Sequence, residues 1–149
     1  MGIESEEKNK ISLGLIITKD KLHNSIFPSE ILKEILDTPY YLLIFISRED
    51  VVKVSCFPTK SNNIKKVLIK LTEFSPELVK GISNVLRELE LSKHILHTTG
   101  LCYEMEKCCY ETYITGEDLG GNKIETLKER FKAITKVIDV EVEDIRVHN

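Results

Sequence analysis

From Lys66 onward the apolar residues switch repeatedly between a period of two and a helical period, and the order of those switches constrains the fold more than anything else in the chain. Lys66 to Thr72 alternates, with Val67, Ile69 and Leu71 on one face and Lys66, Lys70 and Thr72 on the other; Leu68 is the exception. Ser75 and Pro76 then suit a helix start, because serine can cap the first turn and proline lacks an N–H where none is needed. The helix is predicted to run to about Leu91, with Leu78, Ile82, Val85, Leu86 and Leu89 as its buried stripe. Two strands follow, about His94 to Tyr103 and Lys107 to Thr115, joined at hairpin length by Glu104-Met105-Glu106. The glycine-rich stretch Gly116 to Asn122 reads as a loop. Ile124, Leu127, Phe131 and Ile134 mark a second amphipathic helix, and Val137 to Val147 a closing strand with Asp139, Glu141 and Glu143 on a wet face.

The resulting order, β-α-β-β-α-β over 64–149, predicts an α+β fold of the ferredoxin-like kind: an antiparallel sheet with two helices on one face. A Ser/Asn-rich stretch, Pro58 to Asn63, is the best internal boundary. Before it, 1–60 reads as an N-terminal βαββ unit, expected to pack on the second or extend its sheet. Its elements are a tail over 1–10, a strand from Ile11 to Thr18, a polar turn from Lys19 to Asn24 and a short helix opened by Pro28 and Ser29. That helix carries Ile31, Leu32, Ile35 and Leu36 and is stopped at Thr38-Pro39. Strands from Tyr40 to Ser47, expected to be central, and from Val51 to Phe57 complete the unit.

Bulk properties narrow the classes. With 42% hydrophobic and 30% charged residues the chain has a globular balance, and a net charge of −3 argues against a broadly basic nucleic-acid surface. No apolar run reaches bilayer length, so no membrane span is expected. The polar, acidic first residues are unlike a secretory signal, which leads to a cytoplasmic expectation. Cys56, Cys102, Cys108 and Cys109 would then be free thiols.

One stretch goes further than pattern. Leu71-Thr72-Glu73-Phe74-Ser75-Pro76-Glu77-Leu78-Val79, followed by Ile82-Ser83-Asn84-Val85-Leu86, resembles the opening of ACT domains. Ile95 to Gly100 is similar to that family's second strand, and Leu127 to Val142 to its last helix and strand. The likeness covers about 64–147. It implies a non-catalytic regulatory protein that binds a small-molecule effector, most naturally an amino acid, or assembles with itself as a homodimer or higher oligomer. Glu77 stands where the family has a glycine that lets backbone approach the ligand. Members that lack such a site act as dimerisation modules.

By this resemblance the ligand-binding residues would be Glu73, Phe74, Ser75, Pro76, Glu77 and Leu78, with Thr98, Thr99 and Gly100 on the neighbouring strand. The helix N-terminus would suit a carboxylate, and Glu73 or Glu77 an ammonium group. No catalytic motif and no cofactor site stand out. His94, His97, Cys102, Cys108 and Cys109 are metal-ligand types gathered in one stretch, although no C-x-x-C pattern accompanies them. Two chemistries compete with metal there: redox sensing, and plain packing of cysteine as a small apolar side chain. Cys102 is placed to meet Cys108 or Cys109 across the hairpin. A second resemblance concerns Ser25-Ile26-Phe27-Pro28-Ser29-Glu30-Ile31, which is similar to swapped-hairpin transcription factors. It implies DNA binding, for which Lys19, Lys21, Lys33, Arg48 and Lys53 would supply the phosphate contacts.

Overall fold

The computed structural model describes residues 10–102, 107–116 and 119–148. The expected tail over 1–9, the connection 104–106 and Glu117 and Asp118 of the glycine-rich loop lie outside them. The described residues form a mixed α+β structure with two antiparallel sheets and four α-helices. They divide into two units. Ser12–Asn63 group with the residues from Ile145 onward, and Ile64–Asp144 with Lys10 and Ile11.

In the first unit β1 (Leu13–Thr18), β2 (Tyr40–Arg48) and β3 (Val51–Thr59) form a sheet of their own in the order β1-β2-β3. The central place of β2 follows from its apolar run. Lys19–Asn24, read as a turn, instead contains a short helix, α1 (Lys19–His23). Burial of Leu22 in the cluster with Ile17, Tyr41 and Leu43 outweighs the polar character of its neighbours. The next helix, α2 (Ser29–Leu32), ends a turn early, and Leu36, expected in its buried stripe, is 67% exposed. The β2–β3 hairpin turns through Glu49 and Asp50, both at positive φ (49° and 67°). That geometry fits the right-handed strand twist, but asparagine and glycine adopt it at lower cost. After Ile145 the chain returns to β1: Ile16 N donates to Arg146 O at 3.0 Å and His148 N to Ile16 O at 2.7 Å. The expected last strand therefore stops before Val147, which makes a parallel bridge to Ile16.

The second unit contains β4 (Ile64–Leu71), α3 (Pro76–Glu88), a 3-10 turn (Ser92–His94), β5 (Ile95–Cys102), β6 (Cys108–Thr115), α4 (Asn122–Lys132) and β7 (Val137–Asp144). Its strands are antiparallel in the order β5-β6-β4-β7. Val67, Ile69 and Leu71 of β4 share one hydrophobic cluster with Leu78, Ile82, Val85 and Leu86 of α3, Leu127 and Phe131 of α4, and Val140 of β7. The helix start is as expected: Ser75 Oγ accepts from Leu78 N at 3.1 Å and Pro76 occupies the first turn. Ile138 departs from the expected alternation and is 61% exposed. The β4–β7 register shifts between Lys70 and Leu71, which pair with Asp139 and Val137, so the bulge leaves Ile138 out of the ladder.

Candidate functional site

Which side chains share a space in the second unit follows from strand alternation. In β5, Thr98 pairs with Thr112, Thr99 with Glu111 and Gly100 with Tyr110. Tyr110 packs against the helix-side cluster, so Thr98 and Gly100 lie on that face and Thr99 on the opposite one. The three strand residues expected together are thus split by pleating.

The turn before α3 does meet the strand. A Cβ built on Gly100 would lie 2.8 Å from Phe74 Cζ and 3.1 Å from Cε1, so the Phe74 ring rests on the glycine where a side chain would stand. Glu73 forms an ion pair with Lys136, whose carbonyl also accepts from Thr72 N at 3.1 Å. Glu77 is exposed in the first turn of α3, beside the positive end of the helix dipole. Pro76 is exposed and Ser75 half-buried, while Leu78 belongs to the core and presents no side chain outward. Thr98 Oγ1 lies 3.1 Å from Thr112 Oγ1. Burial pushes the Tyr110 hydroxyl pKa up, and a hydrogen bond with Thr98 partly opposes this. Thr98 and Tyr110 thus share the helix-side face with the Phe74–Gly100 contact, and Ser75 and Glu77 follow Phe74 along the chain into the first turn of α3.

The Cys/His candidates take another arrangement. Cys102 and Cys108, directly paired across β5 and β6, form a disulfide, which corrects the expectation of four free thiols. Their register places the two sulfurs on the same face, where Cys108 joins the helix-side core. Cys56 and Cys109 remain thiols, and burial raises the pKa of both. His94 ends the 3-10 turn rather than opening a strand, because the ladder starts at Ile95. His97 pairs with Tyr113 on the face away from the helices. Burial lowers its pKa, and the nearby Glu111 charge acts in the opposite sense. No three His, Cys, Asp or Glu side chains gather as a metal ion would require among the described residues. Two of the basic residues considered for DNA are already engaged. Lys19 pairs with Asp37 at 2.6 Å and Lys21 Nζ donates to His148 O at 2.7 Å.

Sequence reasoning missed a buried charge pair. Lys66 Nζ lies 3.2 Å from Glu111 Oε2, with the two side chains 1% and 0% exposed. Ile11 N donates to the same oxygen at 2.7 Å, and the ammonium sits 5.6 Å from the centre of the Tyr113 ring. Glu111 pairs with Leu68, so the bridge runs diagonally from β4 to β6. A one-residue slip would send Lys66 into the helix-side core, which makes the pair a register lock. The available signal was a glutamate between Tyr110 and Tyr113 in an otherwise uncharged strand.

No helix among the described residues is long and apolar enough to cross a membrane. Compared with known proteins, the chain matches no family model and no curated protein sequence.

Proposed function

We propose that Ile64–Asp144 is a ferredoxin-like domain of the ACT type, and that the chain is a non-catalytic regulatory protein binding a small effector, an amino acid first of all, at the start of α3. The β-α-β-β-α-β order, the central β4 and β6, and the single core shared by both helices support the fold reading. The observation that carries the functional reading is the Phe74–Gly100 contact, which holds the turn before α3 against a sheet edge.

That edge strand, β5, contains no Asp, Glu, Lys or Arg, whereas β7 at the other margin ends in Val-Glu-Asp after Asp139 and Glu141. Edges meant to stay single are blunted by charge. The β5 edge lacks that protection and suits a second copy of the chain, related by a two-fold axis. An effector would then lie beside the Phe74 ring, between protomers. Its carboxylate would face the α3 N-terminus and its ammonium group Glu77, since Glu73 is held by Lys136. In a cytoplasmic setting the Cys102–Cys108 bridge would be a reversible link rather than a permanent one.

Thermal unfolding against a panel of amino acids, with sedimentation velocity alongside, tests this. A ligand at 100-fold its dissociation constant adds about 2.7 kcal/mol. A dimer without any ligand shift would leave only the assembly role, and a monomer without a shift would sink the proposal.

A further inference from the structure

The first unit contains a cleft of about 190 Å³ that the reading above does not use. Leu22, Leu32, Ile35 and Tyr41 line its apolar part, and all four pack in the cluster beneath α1 and α2. Tyr41 adds only its ring. Its hydroxyl is taken up by the backbone, donating to Leu36 O at 2.8 Å and accepting from Thr38 N at 3.2 Å. The remaining lining is polar: Lys19, His23 and Asp37. Lys19 and His23 are one turn apart on α1 and so lie on the same side of it. The backbone N–H of Lys19 donates to Pro39 O at 3.1 Å, tying α1 to the segment after Asp37.

The Lys19–Asp37 pair at the mouth is 45% and 72% exposed, and such surface pairs contribute little on their own. Opening it costs little, and it presents one cation beside one anion above an apolar floor. A lone carboxylate would meet Asp37 and a lone amine would meet Lys19. A molecule bearing both charges satisfies both residues. At about 190 Å³ the space exceeds an apolar cavity of roughly 150 Å³ that takes up benzene, which is enough for a short branched hydrocarbon tail.

We propose that this cleft binds a small zwitterion with a short aliphatic tail, the branched-chain α-amino acids being the simplest examples. The ammonium group pairs with Asp37, the carboxylate with Lys19 and His23, and the tail packs on Leu22, Leu32, Ile35 and the Tyr41 ring. This cleft belongs to the first unit and does not depend on the site proposed at the start of α3 in the second.

Amide chemical-shift titration of the full chain with L-leucine, isovalerate and isopentylamine tests the assignment. Leucine is expected to shift amides from Lys19 to Asp37 and to bind at least about tenfold more tightly than either singly charged analogue. Asp37→Asn should weaken leucine by about the same factor and leave isovalerate no weaker, whereas Lys19→Gln should weaken leucine and spare isopentylamine. Both residues are exposed, so the variants fold. Equal binding of an analogue, or no shift with leucine, overturns the proposal. So does a leucine response confined to residues 73–78 and 98–100 and untouched by Asp37→Asn, which would assign the ligand to the other site.

Discussion

Replacing Gly100 by alanine probes the contact on which the proposed effector site rests. The added methyl group would sit 2.8 Å from Phe74 Cζ and 3.1 Å from Cε1, well inside ordinary carbon–carbon contact. Gly100 is a strand residue without a left-handed backbone, so alanine meets no conformational penalty there. By itself the change would stabilise the strand by about 0.5–1 kcal/mol, because alanine loses less chain freedom on folding. Against that, although Gly100 is itself exposed, the methyl group would have to push the half-buried Phe74 ring off its packing, at a cost typical of overpacking, about 1–3 kcal/mol. Phe74 is half-buried against the core cluster, so its ring cannot swing into solvent without giving up packing. The overlap wins, and Gly100→Ala should destabilise by about 1–2 kcal/mol. Phe74→Leu removes the clashing atom, so in that background Gly100→Ala should be neutral or stabilising, giving a coupling energy of about 1–2 kcal/mol. Urea unfolding of the four proteins measures the cycle. If Gly100→Ala is as stable as the parent and uncoupled from Phe74, the ring does not rest on the strand, and the packing argument for the site fails.

Other consequences can be measured directly. Glu111→Gln takes the carboxylate from the buried Lys66 ammonium and should cost about 3 kcal/mol, while Lys66→Met with Glu111→Leu recovers only part of it, because Ile11 N–H then loses its acceptor, as read by urea denaturation. Reducing the Cys102–Cys108 bridge, which links positions six apart, should lower unfolding free energy by about 2 kcal/mol, compared with and without dithiothreitol. Glu49→Asn with Asp50→Gly relieves two positive-φ positions and should stabilise by about 1–2 kcal/mol, seen as a higher melting midpoint. Burial holds His97 below its ordinary pKa of 6.5, so the unfolded chain takes up the proton first as pH falls. The stability it contributes is present above that value and lost on acidification; a His97→Leu variant should show a shallower loss below about pH 6.5.

Local chemistry was legible where one residue decides the outcome. Ser75 and Pro76 mark the start of α3 because capping and a missing N–H are properties of those two residues alone. The order of elements in the second unit was equally readable, since each has a long periodic face to bury. What failed depended on distant parts of the chain. Lys19–His23 became helical because Leu22 finds a cluster built from β1 and β2. Ile138 left its face because the register slips by a residue near Leu71. Thr99 was grouped with Thr98 and Gly100 by proximity along the chain, although neighbours in a strand point apart. The Lys66–Glu111 pair joins residues on different strands, and nothing within either strand names the other.

The two margins of the four-stranded sheet differ in a way that bears on growth. The β7 margin carries Asp139, Glu141, Glu143 and Asp144, the last three paired with Lys70, Lys10 and Lys65, and an incoming strand would have to strip water from this charged rim. The β5 margin carries no such charge. Were copies to join through β5, each would use up the uncharged margin of its four-stranded sheet, so this sheet would close at a pair rather than grow strand by strand.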